Sequence, residues 1–275
     1  MTVPTADFLT RIASDRRRRV EEMRLRTPAH ELRARLGPIR PAGRLERALR
    51  RGGTPSGKSS APLRLVCEFK RASPSKGVLN AGADPVAHAR LYEAGGAAAM
   101  SIVTEPDHFH GDLEWVASVR AAVGLPLLLK DFVIDSYQVI DAAVRGADGV
   151  LLLASLLSGV QLQILISEAR LLGLDALVEV HGEDELRGAV RAGATLLGIN
   201  NRDLRTFVVD PETSLQLLPL VPPMVTAVVE SGLSTPGDLA RLRGTRCDAV
   251  LIGEAFMTSA DPAGTLATLA AAARG

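Results

Sequence analysis

From Leu63 onward the chain repeats one pattern: a short apolar run, an amphipathic stretch, and a break before the next run. The runs fall at 63–69, 97–103, 126–132, 149–155, 176–180, 196–200, 226–230 and 249–253. Runs of this length between turn residues read as buried strands. The stretches between them, such as Asp84–Ala94, Asp135–Arg145, Val160–Leu171 and Glu183–Ala192, read as amphipathic helices. Gly95-Gly96, Gly146-Ala147 and Gly193-Ala194 end three of these helices just before a strand. Strict alternation of strand and helix points to parallel pairing, and eight such units suit a closed (β/α)8 TIM barrel. The alternative is a doubly wound open sheet. It is expected to carry a glycine-rich dinucleotide turn after a strand, and the sequence has none.

The expected organisation is one structural domain. Residues 1–62 form an N-terminal helical extension and linker packed on a barrel of residues 63–275. Phe8, Leu9, Ile12, Val20 and Met23 give residues 6–36 an apolar helical stripe. Thr27-Pro28, followed by Glu31, is expected to open a second helical stretch with Thr27 as its cap. Charge is divided unevenly: residues 1–60 hold 15 Lys and Arg against 6 Asp and Glu, and residues 61–275 hold 17 against 25. The Arg16–Arg19 run reads as a solvated helix face, because Glu21 and Glu22 follow it and no aromatic platform accompanies it. No nucleic-acid partner is therefore expected. Gly52–Ser59 matches the phosphate-loop pattern G-x-x-x-x-G-K-[ST]. That motif works only between a buried strand and a helix, whereas here an Arg-rich helical segment precedes it and Ser60-Ala61-Pro62 follows. It reads as a linker.

Cys67 and Cys247 both sit in apolar runs and read as small buried hydrophobes. No signal-peptide core or membrane-length apolar run is present, so a soluble cytoplasmic protein without a membrane partner is expected. A monomer or weak homodimer is the expected state.

In a barrel of this type, catalytic groups occupy the C-terminal ends of the strands. Those ends read Glu68 and Lys70, Thr104-Glu105, Lys130-Asp131-Phe132, Ala154-Ser155, Glu179, Asn200-Asn201-Arg202, Glu230-Ser231-Gly232 and Gly253-Glu254. Glu68 and Lys70 share a strand face, since alternate residues point the same way. Solvated strand ends account for some of these charges. They do not account for Lys130 directly after Pro-Leu-Leu-Leu, or for Glu179 inside Ala-Leu-Val-Glu-Val, where an unpaired charge is costly. Lysines and carboxylates converging on one mouth shift each other's pKa values, as acid–base catalysis requires. Glycines after strands seven and eight suit a phosphate site. No metal constellation emerges: His30, His88, His108, His110 and His181 are scattered.

These blocks resemble indole-3-glycerol-phosphate synthase, an enzyme family of tryptophan biosynthesis. The resemblance is carried by Glu68-Phe-Lys-Arg-Ala-Ser-Pro-Ser-Lys-Gly77, Ser101-Ile-Val-Thr-Glu105 with Phe109-x-Gly111, and Lys130-Asp-Phe-Val-Ile-Asp135 with Tyr137-Gln138. It continues in Glu179-Val-His181, Gly198-Ile-Asn-Asn-Arg-Asp-Leu204 with Thr206-Phe207, Glu230-Ser-Gly232 and Leu251-Ile-Gly-Glu254. The resemblance implies a cofactor-free carboxy-lyase that closes the pyrrole ring of carboxyphenylamino-deoxyribulose 5-phosphate, losing CO₂ and water. By position it implies Lys130 as general acid and Glu179 as general base. Lys70 would assist with charge and proton transfer, Glu68 would hold the lysines, and Asn200 and Glu230 would bind sugar hydroxyls. Ser73 and Arg202 would meet the substrate carboxylate, and Pro74 and Phe132 would line the aromatic pocket. Ser231, Gly232, Gly253 and the backbone of Glu254 would hold the phosphate. Two positions depart from the family's habit: Leu129 stands where Arg commonly precedes the lysine, and Glu254 where Ser is often found. The other readings are a different phosphate-sugar barrel enzyme such as phosphoribosylanthranilate isomerase, a non-catalytic barrel, or a nucleotide-binding module using Gly52–Ser59.

Overall fold

The computed structural model describes residues 6–52 and 61–275. Apart from Gly52, the phosphate-loop-like stretch lies outside the described residues.

Eight parallel strands close into a barrel: β1 (Arg64–Phe69), β2 (Ala99–Val103), β3 (Leu127–Lys130), β4 (Gly149–Leu153), β5 (Asp175–Val180), β6 (Leu196–Asn200), β7 (Thr226–Glu230) and β8 (Ala249–Ile252). They follow one another round the cylinder in chain order, and β8 pairs with β1. Side-chain caps fix where many of the intervening helices begin. Asp84, Asp135 and Asp261 each accept a first-turn backbone N–H, and Ser158 with Gln161 and Thr235 with Asp238 form capping boxes. The Ser-Pro-Ser segment after β1 carries a small antiparallel hairpin of Ala72–Ser73 with Gly77–Val78. A hairpin this short needs only a few residues, and Gly77 supplies the left-handed backbone (φ 66°) that closes it.

The period of two in each strand sorts the core into two layers. Leu65, Cys67 and Phe69 face the helices, while Val66 packs inside the cylinder with Ala99, Leu128, Leu177, Leu196, Val228 and Ala249. The same alternation directs Glu68, Lys130, Glu179, Asn200 and Glu230 into the upper end. It also settles the Leu129 departure: this side chain lies with the helix-facing layer, on the opposite face of β3 from Lys130.

The N-terminal extension packs on both ends of the barrel. Helix α1 (Ala6–Arg26) lies at the C-terminal mouth, tied by Arg16 to Asp131 (2.6 Å), by Arg19 to Asp107 and by Arg24 to Asp135 (2.6 Å). Helix α2 (Ala29–Ala34) follows. Pro28 occupies its cap position and no side-chain cap bond is made, so Thr27 is not the cap expected from sequence. The Thr27 carbonyl instead accepts a hydrogen bond from the Tyr137 hydroxyl (2.9 Å). Helix α3 (Arg44–Leu49) plugs the other end, with Leu45 and Leu49 fully buried in the inner layer. Three aspartates at strand starts receive it. Asp175 accepts the Glu46 N–H (3.0 Å), Asp148 pairs with Arg44 (2.7 Å), and Asp248 accepts the Arg51 N–H (3.1 Å). Sealing this end with leucine confines polar access to the mouth.

Candidate active site

At the mouth, strands from opposite sides of the barrel deliver charged groups to one point. Lys130 Nζ lies 2.8 Å from Glu230 Oε2 and 3.0 Å from Glu68 Oε2. Lys70 Nζ lies 2.6 Å from Glu68 Oε1. Two lysines thus share one carboxylate, and a second carboxylate stands behind Lys130. Glu68, Glu179 and Glu230 are buried, Glu230 completely. Such an arrangement persists only because each charge is paired, since an isolated ion here would be strongly destabilising.

The titration properties follow from this packing. Burial pushes the Glu68 carboxyl up, but Lys130 and Lys70 outweigh it and hold it at about 2. Its folded pKa is depressed, so its stabilising contribution is full above the ordinary carboxylate range, about 4.3, and is lost as pH falls toward 2. Burial also opposes the Lys130 ammonium, yet Glu230, Glu68 and Glu179 raise its proton affinity above that of an ordinary lysine. Burial dominates at Glu230, whose carboxyl rises to about 7 despite Lys130. Glu179 goes the other way. Burial raises it, but His181, Lys130 and Asn200 together hold it below the usual range.

One cavity collects these groups and encloses about 790 Å³, open mouth included. Its polar lining contains Glu68, Lys70, Lys130, Glu179, Asn200 and Arg202, and its rim carries Ser73, Pro74, Phe132, Ser231 and Glu254. Three other residues singled out from sequence lie outside that lining. Glu230 sits behind Lys130. At Gly232 (φ 73°) a Cβ would lie 2.6 Å from Val209 Cγ1, so the turn after β7 needs glycine. At Gly253 a Cβ would lie 2.6 Å from Glu68 Oε1 and 3.0 Å from Glu68 Cβ. Gly253 therefore makes room for the carboxylate that holds both lysines. Gly198 does the same for Glu230, whose Oε1 a Cβ there would overlap. Gly253→Ala is expected to cost about 1–3 kcal/mol of stability, as overpacking does. Urea unfolding measures it, and an unchanged midpoint would contradict this role.

Glu254 lines the cavity, with its carboxylate 3.5 Å from the ammonium of Lys76. Arg202 donates to the Phe207 carbonyl (3.2 Å) and to Ser75 Oγ (3.4 Å), and its backbone N–H is received by Asn200 Oδ1 (2.9 Å). Gln138 fixes the turn carrying Phe132, donating to the Phe132 carbonyl (3.0 Å) and accepting from the Ile134 N–H (2.9 Å).

The apolar wall was only partly foreseen from sequence. Phe8, Phe109, Leu204 and Phe207 line it beside Phe132. Phe8, from α1, meets Phe207 edge-to-face at 5.1 Å between centroids. Phe109 and Phe207 lie within motif blocks that pointed to the mouth. Nothing local distinguishes Phe8 from the rest of the α1 stripe. Arg16 and Asp131 were likewise unforeseen as a pair. Asp131 also accepts from Thr104 Oγ1 (2.7 Å) and from the Phe132 N–H (2.7 Å), so one buried carboxylate joins α1 to β2 and β3. Glu105, at the end of β2, turns its carboxylate onto the N–H groups of Asp107, His108 and Phe109 and is used as a helix cap.

The sequence pattern of one family, described as indole-3-glycerol phosphate synthase, matches residues 9–269. The chain belongs to the indole-3-glycerol phosphate synthase family. A relative of that name from Chlorobium luteolum is 42% identical over 260 residues, covering 94% of this chain and 95% of its own. Another, from Carboxydothermus hydrogenoformans, is 41% identical over 265 residues, covering 96% of this chain and 100% of its own. Among solved structures, 3-hexulose-6-phosphate synthase from Salmonella typhimurium aligns with a TM-score of 0.63 at 17% identity, covering 76% of this chain and 98% of that one. At that identity the likeness concerns the barrel alone. Membership in the indole-3-glycerol phosphate synthase family spans the extension as well as the barrel, since the match begins within α1.

Proposed function

We propose that this cavity converts 1-(2-carboxyphenylamino)-1-deoxy-D-ribulose 5-phosphate to indole-3-glycerol phosphate, CO₂ and water. The observation that carries the reading is the pair of lysines on Glu68, with Glu179 and Asn200 facing the same cavity.

The aromatic ring of the substrate enters the wall of Phe8, Phe109, Phe132 and Phe207, beside Pro74. Its carboxylate meets Ser73 and the guanidinium of Arg202, whose planar fork suits that group. The phosphate lies at the turns after β7 and β8, held by Ser231, Gly232, Gly253 and the backbone of Glu254. Glu254 directs its own side chain toward Lys76, which leaves the backbone to the anion. The ring carbon bearing the carboxylate attacks the ketone carbon. The carbonyl electron pair moves to oxygen, where Lys130 stabilises it and delivers a proton. The raised proton affinity of Lys130 keeps it in the ammonium form in the free enzyme, so its charge meets the alkoxide as it develops and its proton is there to be given. Loss of CO₂ restores the aromatic ring. Glu179, ionised in the free enzyme, then takes a proton from the methylene carbon attached to the ring nitrogen, and that electron pair forms the pyrrole double bond as the former ketone oxygen departs as water. Lys70 assists that departure with charge and proton transfer. Asn200 hydrogen-bonds the sugar hydroxyls, Glu230 backs Lys130 from behind, and Glu68 holds both ammonium groups in place. The partner is thus one phosphorylated small molecule, and the chemistry is supplied by side chains without a cofactor.

The experiment is direct. The purified chain is incubated with the ribulose phosphate, and formation of the indole product is followed by its fluorescence. Absence of product, with the substrate intact, rejects the assignment.

A further inference from the structure

His181 is the first residue past β5 and is partly buried. Its ring stands between two carboxylates. Nε2 lies 3.3 Å from Glu179 Oε1, and Nδ1 lies 3.3 Å from Glu185 Oε2. The same Glu185 oxygen accepts the His181 backbone N–H at 2.8 Å. Glu185 comes from the first turn of the helix Glu183–Arg191, so that helix fixes the ring from outside the barrel. Nδ1 has its hydrogen-bond partner in Glu185, while buried Nε2 lies against Glu179 Oε1 without a formed hydrogen bond; only the doubly protonated imidazolium offers a proton to both carboxylates. The remaining charged groups in reach act on Glu179: Lys130 from β3 attracts it and Glu230 from β7 repels it, while the neutral Asn200 amide of β6 favours its ionised form.

We propose that His181 is a positioning residue whose ring holds the Glu179 carboxylate in place and supplies the positive charge that offsets its burial. This rests on the reading of Glu179 as the base. Lys130 is already shared between Glu68 and Glu230, so it serves Glu179 only in part. Without a second cation, burial and the neighbouring Glu230 would favour the neutral acid, which cannot accept a proton. The ring is suited to this. Burial works against its cation, but Glu179 and Glu185 prevail and raise its pKa to about 10. Glu185 has a matching part: it clamps the ring through Nδ1 so that Nε2 stays turned to Glu179.

The test joins a pH profile to a direct measurement on the ring. His181→Gln is expected to lower kcat about tenfold with KM little changed, and to move the acid limb of the kcat profile upward by about one pH unit. His181→Lys, which keeps a cation, is expected to leave that limb near its wild-type position. An unmoved limb in His181→Gln, or equal movement in both variants, overturns the proposal. In the wild-type enzyme, NMR of the His181 imidazole is expected to show a doubly protonated ring from pH 6 to 8, and Glu179→Gln is expected to lower its titration point. A ring neutral at pH 7 in the wild type overturns the proposal whether or not the variants fold. If Glu179→Gln retains full turnover while the ring titrations behave as stated, the assignment of the base fails and the coupling of the two side chains stands.

Discussion

Replacing Lys130 by alanine is expected to lower turnover by about 10²-fold or more, the usual contribution of a positioned acid–base group. No neighbour can substitute. Lys70 is committed to the far oxygen of Glu68, and Arg202 is anchored to the Phe207 carbonyl. Removal also leaves Glu68 and Glu230 buried with one ammonium fewer, so Glu230, already at about 7, is driven further toward its neutral form. Lys130→Arg separates the two roles. It retains the countercharge, but a guanidinium does not give up its proton. The arginine variant is expected to keep much of the wild-type stability and little of the turnover. Steady-state rates and thermal unfolding of both variants check this, and wild-type turnover in the arginine variant would refute the proton-donor role.

Glu179→Gln is expected to have an effect of similar size, about 10²-fold or more on kcat, because the amide keeps the shape and loses the base. The proposed order of steps gives this variant its own signature. Ring closure and decarboxylation precede the step at Glu179, so the variant should release CO₂ in a first turnover without matching indole formation. A stopped assay comparing CO₂ with indole fluorescence reads this directly. Equal loss of both products would place Glu179 earlier in the reaction, and unimpaired indole formation would remove it from the mechanism.

Many of the residues at this mouth can be traced along single strands. Glu68 and Lys70 are two apart, so they had to share a face. Lys130 after three leucines had to turn inward where Leu129 turns outward. Eight apolar runs with helical stretches between them pointed to a parallel sheet covered by helices, and the number of units with no dinucleotide turn favoured the closed barrel over an open sheet. The residues that escaped were those whose role depends on distant partners. Phe8 and Arg16 belong to an ordinary amphipathic helix until the chain closes and places them against Phe207 and Asp131. Gly253 was read for a phosphate because of its position after a strand, and the closed barrel shows the further reason that Glu68 fills the space beside it. Thr27 had the composition of a cap, yet the helix begins one residue later than a threonine cap requires.

By itself, then, the sequence determined the alternation of elements, the inward face of each strand and the family to which the chain belongs, because those depend on local periodicity and on motifs contiguous in the chain. Tertiary structure alone decided which carboxylate each lysine would share, that α1 would wall the cavity while α3 sealed the opposite end, and that His181 would stand between Glu179 and Glu185. Those choices turn on distances of about 3 Å between groups far apart in the chain. Only closure of the barrel, with its stagger of one strand against the next, fixes such distances.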